Sequence, residues 1–581
     1  MRKFFPIPGT PLFAAFFVMA PLIMSCGPDD SIVELSQAAC EQPFTVATDI
    51  QGNGDQSALL NELLSTRGIV THVEPASGVF IEHASDANGQ ASAGLFIQAG
   101  SLASLAKRGD LLVVEGSVTE LGEGSDTLTS LTAITGYRVC ASGQSIPVTR
   151  ISLPLTKSER EALEGMNLEI EQDLFVTDPR NGGAGLLTLS RDGILPIPTE
   201  VARPGPDARA QALKNSRASL RIRLDERDDQ LFPAGTTILS AQGVLGHDGR
   251  GLRLLQNDRL RTIPIRVNRI APPAGQDLRV IGLNLHNYFN GDGQGGQFPT
   301  PRGAETPAEF AAQRARLAAT IEHIGPHLVA VMELENDGFG DNSAAADFIR
   351  DLESATGETW QAVQPFNGPI GGDAITVGLF YRPDRLAAAG RASVLNGPEF
   401  QRLSRVPLAE HFTDQNTGQS FLTVVNHLKS KGSCPEDGRN ANMKDGQGCW
   451  NPARTAAAKV MAEWTAALAA SVSDGKALIL GDINAYRMED PITAIRDAGF
   501  HDLNAASGIG FGFSLMYSGQ AGTLDYAFAS SALRPFVQSA MVPNFNSPYA
   551  RELELPLPWL GASDHDPVLV DLRFRQASTS N

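Results

Sequence analysis

The sequence predicts a chain of mixed class, α+β overall, in which a β-rich N-terminal half precedes a layered α/β domain. Three observations carry this. The 581 residues exceed the roughly 250–300 at which one hydrophobic core stops growing, so two or three domains are expected. From Pro43 to about residue 270, short β-like runs are punctuated by Gly and Asp, with no long amphipathic helix between them. From residue 276 onward, apolar strands alternate with helix patterns. At 42% hydrophobic and 19% charged, the composition excludes disorder as the main state.

The first 26 residues read as an export signal. Arg2 and Lys3 precede an apolar stretch, Leu12 to Met24, that is interrupted by Pro21 and falls short of the roughly 20 residues a spanning helix needs. Ile23-Met24-Ser25-Cys26 resembles a bacterial lipobox, with Cys26 as the lipidated residue. Residues 27–42 form a polar tether. The other four cysteines, Cys40, Cys140, Cys434 and Cys449, allow three connectivities. In an oxidising compartment, pairing Cys40 with Cys140 and Cys434 with Cys449 keeps each bridge within one domain, and the spacings match no zinc site. The chain is therefore expected to be exported, either anchored at an outer membrane through lipid or released.

Residues 43–145 give runs at Gly68–Val73, Gly94–Gln98 and Asp110–Val118, the pattern of a small β-barrel. Residues 146–270 are β-rich again, with candidate strands at Leu168–Ile170, Ser219–Leu224 and Thr237–Leu239. Between residues 201 and 270 there are 13 Arg+Lys against 7 Asp+Glu, a local excess of 13 − 7 = 6 positive charges. That excess suits either a solvated face or a surface that attracts phosphate backbones. Ala271-Pro272-Pro273-Ala274-Gly275 is a stiff linker.

The C-terminal domain, residues 276–575, opens with a strand from Arg279 to Leu285. Thr306-Pro307-Ala308-Glu309 has the form of a helix start, with the helix running to about Ile324. Further strands are expected at His327–Met332, Phe421–His427, Ala477–Leu480, Thr523–Phe528 and Val568–Leu572, with a second helix opening at Asn451-Pro452.

Polar residues recur at the ends of these strands: Asn284, Glu333, Asn426-His427, Asp482 and Asn484, Asp525, and Asp564-His565. Carboxylates and imidazoles beside buried strands are costly unless they share partners or a metal. Six such positions point to one cluster at an edge of the sheets. The residue types suit phosphodiester hydrolysis. A hard cation on carboxylate oxygens neutralises phosphate charge, Asp or His can move a proton, and His paired with a carboxylate has its tautomer fixed.

Through these residues the domain resembles the endonuclease/exonuclease/phosphatase superfamily. The motifs occur in order as Asn284, Met332-Glu333, Asn426-His427, Gly481-Asp482-Ile483-Asn484, Leu524-Asp525-Tyr526 and Ser563-Asp564-His565. The resemblance implies a deoxyribonuclease-like four-layer α/β sandwich. It implies Glu333 as metal holder with Asn284 and Asp564 nearby, the ion being Mg²⁺ with Mn²⁺ or Ca²⁺ as alternatives. His565 would pair with Asp525 as general base or phosphate-polarising group. Asp482 would orient or activate water, Asn484 would bind phosphate, and His427 would stand near the leaving oxygen.

Asn426 to Cys434, Asp445 to Asn451 and Gly519 to Asp525 look like the secreted bacterial nuclease branch, whose OB-like domain precedes the catalytic one. Thr376, and Phe513 to Tyr517, depart from that branch. Arg302, Arg382, Lys429 and Lys431 flank the motifs and, with Asn426, are the candidate substrate contacts.

The net charge of −18 argues against a stoichiometric DNA-binding protein more than against an enzyme that binds transiently. The reading is an exported, metal-dependent phosphodiesterase acting on DNA or RNA. The alternatives are a sphingomyelinase-like enzyme or other phosphatase, and a surface nucleic-acid-binding protein with an inactive domain. Nothing in the sequence points to a protein partner.

Overall fold

A computed structural model describes residues 32–83, 91–122, 127–179, 185–224, 231–247, 252–267, 269–401, 403–504, 512–549 and 555–575. The expected export signal and Cys26 lie outside these residues. No described helix is long and apolar enough to cross a membrane.

The first unit is built from β1 (Leu63–Glu74), β2 (Gly78–Glu82), β3 (Gly94–Gln98), β4 (Leu111–Leu121) and β5 (Leu128–Ala141). The pairings β1–β2, β2–β3, β3–β5, β5–β4 and β4–β1 close a barrel, and only β3–β5 is parallel. Its interior is apolar, with Val70, Ile81, Leu95, Ile97, Leu112 and Val114 fully buried. The second unit repeats this plan. A bent first strand, β6 (Asn167–Ile170) and β7 (Leu174–Asp178), is followed by β8 (Leu186–Ser190), β9 (Ser219–Arg223), β10 (Thr237–His247) and β11 (Leu252–Gln256). The order β7–β8–β9–β11–β10–β7 closes, again with only β9–β11 parallel. A helix, α1 (Pro206–Ala218), leads into β9.

The two barrels touch backbone to backbone. A Cβ added at Gly94 would lie 2.1 Å from Gly165 C, which only glycine tolerates. Phe80, Phe96, Leu128, Val244 and Leu255 form the apolar seam. The Glu82 carboxylate accepts the Asn167 N–H at 2.8 Å across it.

The third unit has two mixed sheets face to face. One carries β12 (Leu278–Tyr288), β13 (Leu328–Glu335), β14 (Ile375–Tyr381) and the late strand Val568–Leu572. The other carries Leu408–Asp414, β15 (Ser420–His427), β16 (Ala477–Asp482) and β17 (Asp525–Ser530). Period-2 alternation sorts the side chains. Val280, Ala330 and Met332 enter the inter-sheet core. Ile281, Leu283, Val329 and Val331 face the helices Pro307–Ile324 and Ala344–Thr356. The helix Asn451–Val472 covers the other sheet through Ala457, Ala458, Met461 and Ala462. The result is an α/β sandwich of helices and two sheets.

Both disulfides are formed, Cys40–Cys140 and Cys434–Cys449, with Cα atoms 5.8 and 5.4 Å apart.

Candidate active site

The strand ends converge as parallel pairing requires. β15 and β16 run side by side, with Asn426 opposite Gly481 and His427 opposite Asp482. Asp482 in turn faces Asp525 on β17. From the other sheet, β12 pairs Asn284 with Met332, and both β12 and β13 then lose register. The irregularity has a local cause: His286, Asn287 and Glu333 adopt φ of 56°, 55° and 63°, and Asn484 has φ 52°. Left-handed backbone at non-glycine residues costs of order 1–3 kcal/mol each and persists only where surroundings enforce it. Here it turns Asn287, Glu333 and Asn484 into one cleft of about 630 Å³. That cleft is also lined by Arg302, Arg405, His427, Lys431, Asp482, Tyr486, Asp564 and His565.

Two His–Asp pairs occupy it. His565 Nδ1 lies 2.6 Å from Asp525 Oδ2, an oxygen that also accepts the Ser514 hydroxyl at 2.7 Å. Burial would lower the His565 pKa, but the carboxylates of Asp525 and then Asp564 outweigh it and hold the imidazole well above its usual value. The second pair, His286 Nδ1 with Asp564 Oδ1 at 2.5 Å, was not found in the sequence. Its only signal is a spacing of two from Asn284, which places both on one strand face.

His427 is held differently. Burial, then the Arg405 guanidinium, pushes its pKa well below the ordinary value, so it is neutral. Its Nε2 lies 3.5 Å from both Arg405 Nη1 and Asp482 Oδ2. Arg405 also went unseen in the sequence, because it lies between elements with no motif around it. Its N–H donates to the His427 carbonyl at 3.0 Å and its side chain faces Asp373 at 3.4 Å.

The acidic centre is Asp482. Its Oδ1 accepts the Asn484 N–H at 2.8 Å, and Asn284 Nδ2 lies 3.5 Å from its Oδ2. Burial, then Asp525 alongside, pushes its carboxyl up to about 8. Asp525 Oδ1, also buried, has no hydrogen-bond partner. Asp482, Asp525 and His565 each present a ligand atom within 4.8 Å of the others. With His565 protonated against Asp525, that triad works as an ion pair beside Asp482 rather than as three ligands, since a protonated imidazole only donates. Glu333 stands on the cleft wall with its Oε2 accepting the Asn287 N–H at 3.0 Å. These hard oxygen donors fit a divalent cation, whose charge would offset the cost of burying carboxylates together.

Three candidate substrate contacts do not line the cleft. Arg382 follows the far end of β14, beside His327 at the start of β13, and pairs with Asp384 at 2.7 Å and Glu358 at 3.1 Å. Proximity in sequence misled because a strand separates it from the motif. Lys429 Nζ turns back onto Ser430 O and Gly432 O, both at 3.1 Å, so it stabilises its own loop. Asn426 is fully buried and clips β15 to the Leu480 carbonyl at 2.9 Å. Arg302 does reach the cleft, 3.2 Å from Asp373. Lys431 reaches it too, bound to Glu489 at 2.5 Å.

The second barrel packs against residues that line the cleft. Ile197 N–H donates to Ala521 O and Ala521 N–H to Leu195 O, both at 2.8 Å. Glu200, 3% exposed, accepts Thr523 N–H, Thr523 O–H and Arg487 Nε–H, each at 3.0 Å. Thr199 donates to Glu489 at 2.7 Å. Ile197 packs on Tyr486 and Leu524. The same barrel touches the loop after His427, Gly205 N–H donating to the Asp445 carbonyl at 2.6 Å; Cys434–Cys449 closes that loop, and the fully buried Arg454 donates to Lys429 O at 3.2 Å and Gln447 O at 3.1 Å.

Residues 287–565 match the Endonuclease/Exonuclease/phosphatase family. Similar solved structures include an endonuclease/exonuclease/phosphatase from Bacteroides vulgatus, 17% identical, covering 52% of this chain and 99% of that one with a TM-score of 0.34. The human Nocturnin catalytic domain with bound sulfate is 16% identical, covering 52% and 96% with a TM-score of 0.33. D. rerio TDP2 complexed with single-strand DNA product is 13% identical, covering 51% and 98% with a TM-score of 0.32. No curated protein matches the chain.

Proposed function

Residues 287–565 of this chain belong to the Endonuclease/Exonuclease/phosphatase family of divalent-metal-dependent phosphate-ester hydrolases, and from that premise we propose that the protein is an exported nuclease that hydrolyses DNA, with RNA as a second substrate. The observation that carries the reading is the lining of a single cleft. Carboxylates of Glu333, Asp482 and Asp564, the imidazoles of His427 and His565, and the cations Arg302, Arg405 and Lys431 all face it. Acids that hold a metal, groups that move protons and cations that bind phosphate are the parts that phosphodiester hydrolysis needs.

Glu333 and Asp482, with Asn284 and Asp564 beside them, would hold the cation, Mg²⁺ in our reading. Bound there, it would neutralise phosphate charge and acidify water. His565, protonated against Asp525, donates to a non-bridging phosphate oxygen. Asp482 orients the attacking water, and the neutral His427 faces the leaving oxygen, which Arg405 stabilises by its charge. Asn484 donates through Nδ2 to the Leu428 carbonyl at 3.1 Å and lines the cleft. The two disulfides support export, since such bridges persist in oxidising compartments. The two five-stranded barrels support the OB-like reading of the N-terminal half.

The deciding experiment offers plasmid DNA, RNA and sphingomyelin in parallel, with and without Mg²⁺. The expected result is cleavage of DNA, abolished in His427→Ala and His565→Ala. Hydrolysis of sphingomyelin with both nucleic acids left intact overturns the nuclease reading.

A further inference from the structure

A second hollow lies on the other flank of the hairpin that borders the cleft. The hairpin strands Leu515–Tyr517 and Gln520–Gly522 are joined through Ser518 and Gly519. Leu515 and Tyr517 line the catalytic cleft. Ser518, Gly519 and Gln520 line instead a groove of about 360 Å³ shared with the second barrel. The hairpin is two strands wide, about 5 Å between strand axes, so cleft and groove are neighbours. The tip rests on the barrel: a Cβ at Gly519 would touch Thr177, Asp178 and Thr188 at 3.4–3.5 Å.

The barrel side of the groove carries Arg160, Arg221 and Arg253, and no carboxylate is among the described residues that line it. In a chain with a net charge of −18, three arginines thus line one hollow. Register explains how two of them meet. β9 and β11 run parallel, with Ile222 opposite Leu254, so Arg221 and Arg253, one residue earlier on each strand, stand side by side on one face. Arg221 also lies opposite Thr188 of β8. Arg160 is steered into the same hollow by hydrogen bonds to the carbonyls of Ser216 and Ser219 at 3.3 and 3.2 Å. Asn215, Ser216 and Ser219 add amide and hydroxyl groups. Guanidinium forks backed by hydroxyl and amide groups recognise phosphate. Tyr517, 59% exposed, stands between the two hollows where a base could stack.

We propose that this groove binds the phosphodiester backbone of a single strand that extends from the catalytic cleft past Tyr517 onto the second barrel. The proposal rests on the nuclease reading of the cleft and assigns the local positive excess of residues 201–270 a role. It separates two substrate classes: a small diester that fills only the cleft gains nothing from the groove, whereas an oligonucleotide gains affinity from it.

The test uses the full chain and three variants, Arg221→Glu, Arg221→Lys and Ser216→Glu. Both Arg221 and Ser216 are exposed, and Ser216→Glu adds a negative charge without removing an arginine. Substrates are bis(4-nitrophenyl) phosphate and (dT)20 with Mg²⁺, and (dT)20 binding is followed by fluorescence anisotropy in EDTA. Arg221→Glu and Ser216→Glu are expected to raise the KM for (dT)20 at least about fivefold with kcat and diester hydrolysis unchanged. They should weaken (dT)20 binding and flatten its salt dependence by about 0.7 in log–log slope per lost phosphate contact. Arg221→Lys should retain most affinity. Wild-type KM and binding in both glutamate variants overturn the groove while leaving the nuclease reading intact. If the wild-type protein cleaves no nucleic acid, the cleft reading fails and the anisotropy arm still decides: equal binding by wild type and variants refutes the groove, and loss of binding in both supports it.

Discussion

Glu200 belongs to the second barrel, yet its removal is expected to damage the catalytic centre. Its carboxylate accepts three hydrogen bonds at 3.0 Å, two from Thr523 and one from Arg487. Thr523 is two residues before Asp525, which fixes His565. Burial raises the Glu200 carboxyl, and Arg487 with the Thr523 donors works against that rise. In Glu200→Ala the Thr523 N–H and Arg487 lose this acceptor, while the Thr523 hydroxyl keeps the Gly512 carbonyl at 2.9 Å. Breaking a buried charge pair from one side costs about 3–5 kcal/mol. Arg487 retains Asp502 at 3.2 Å, which places the expected loss near the lower end, about 3 kcal/mol. Glu200→Gln keeps an acceptor oxygen for the Thr523 N–H and is expected to lose about 1–2 kcal/mol. Urea unfolding of the full chain measures the stability, and steady-state cleavage of DNA measures the function. The expected pattern for Glu200→Ala is a lowered midpoint with kcat reduced more than KM is raised, because the Asp525–His565 pair loosens while the cations on the far wall stay. A Glu200→Ala protein with wild-type midpoint and wild-type kcat would refute the claim that the second barrel positions the catalytic loop.

Three further outcomes are expected. EDTA stops hydrolysis and Mg²⁺ or Mn²⁺ restores it, and Glu333→Gln folds normally yet loses most activity; full turnover in EDTA removes the metal assignment. Reducing or deleting Cys434–Cys449 frees a loop closed over 15 residues, with about 3 kcal/mol of loop-closure stabilisation at stake, so the double serine variant should melt earlier and lose activity through the Lys431 wall, as differential scanning calorimetry and a cleavage assay would report. The barrels should lose stability as pH rises. Burial lifts Glu82 to about 7 and Glu164 to about 8. Both folded values lie above the ordinary carboxyl value of 4.5, so the folded state holds extra protons between about pH 4.5 and 8 and its advantage falls through that window. Thermal melts from pH 5 to 9 should show the decline, and Glu164→Gln should flatten it; an identical slope in the variant contradicts the assignment.

Much of the catalytic domain was legible because burial and chemistry coincide at strand ends. Leu328-Val329-Ala330-Val331-Met332 is a buried run, and Glu333 follows it at the point where the strand meets solvent. The expected helix end at Ile324 is the observed one, with Gly325 as its left-handed cap. The cap at the start of that helix is one-sided. Thr306 accepts the Glu309 N–H, but Glu309 reaches the Glu305 N–H instead of that of Thr306. What stayed hidden depends on tertiary approach. Arg405 has no motif, and its role exists only because β15 brings His427 beside it. Arg382 looked like a substrate contact because sequence distance was read as spatial distance, whereas Lys429 is near the cleft but turns its ammonium onto the carbonyls of its own loop. Glu200 reads as an ordinary surface acid until Thr523 and Arg487, some 300 residues later, close over it.

The order in which the parts leave the ribosome follows from the sheet pairing. Residues 278–282 hydrogen-bond to 568–572, and Asp564 and His565 come just before that second stretch. Until residues about 290 positions further along have been made, β12 has an open edge and the cleft lacks two of its acid–base groups. Contacts this distant in sequence form slowly. A partly synthesised chain would therefore carry both finished barrels and an unfinished, inert cleft, so hydrolysis is withheld until the polypeptide has been synthesised through its last catalytic-sheet strand.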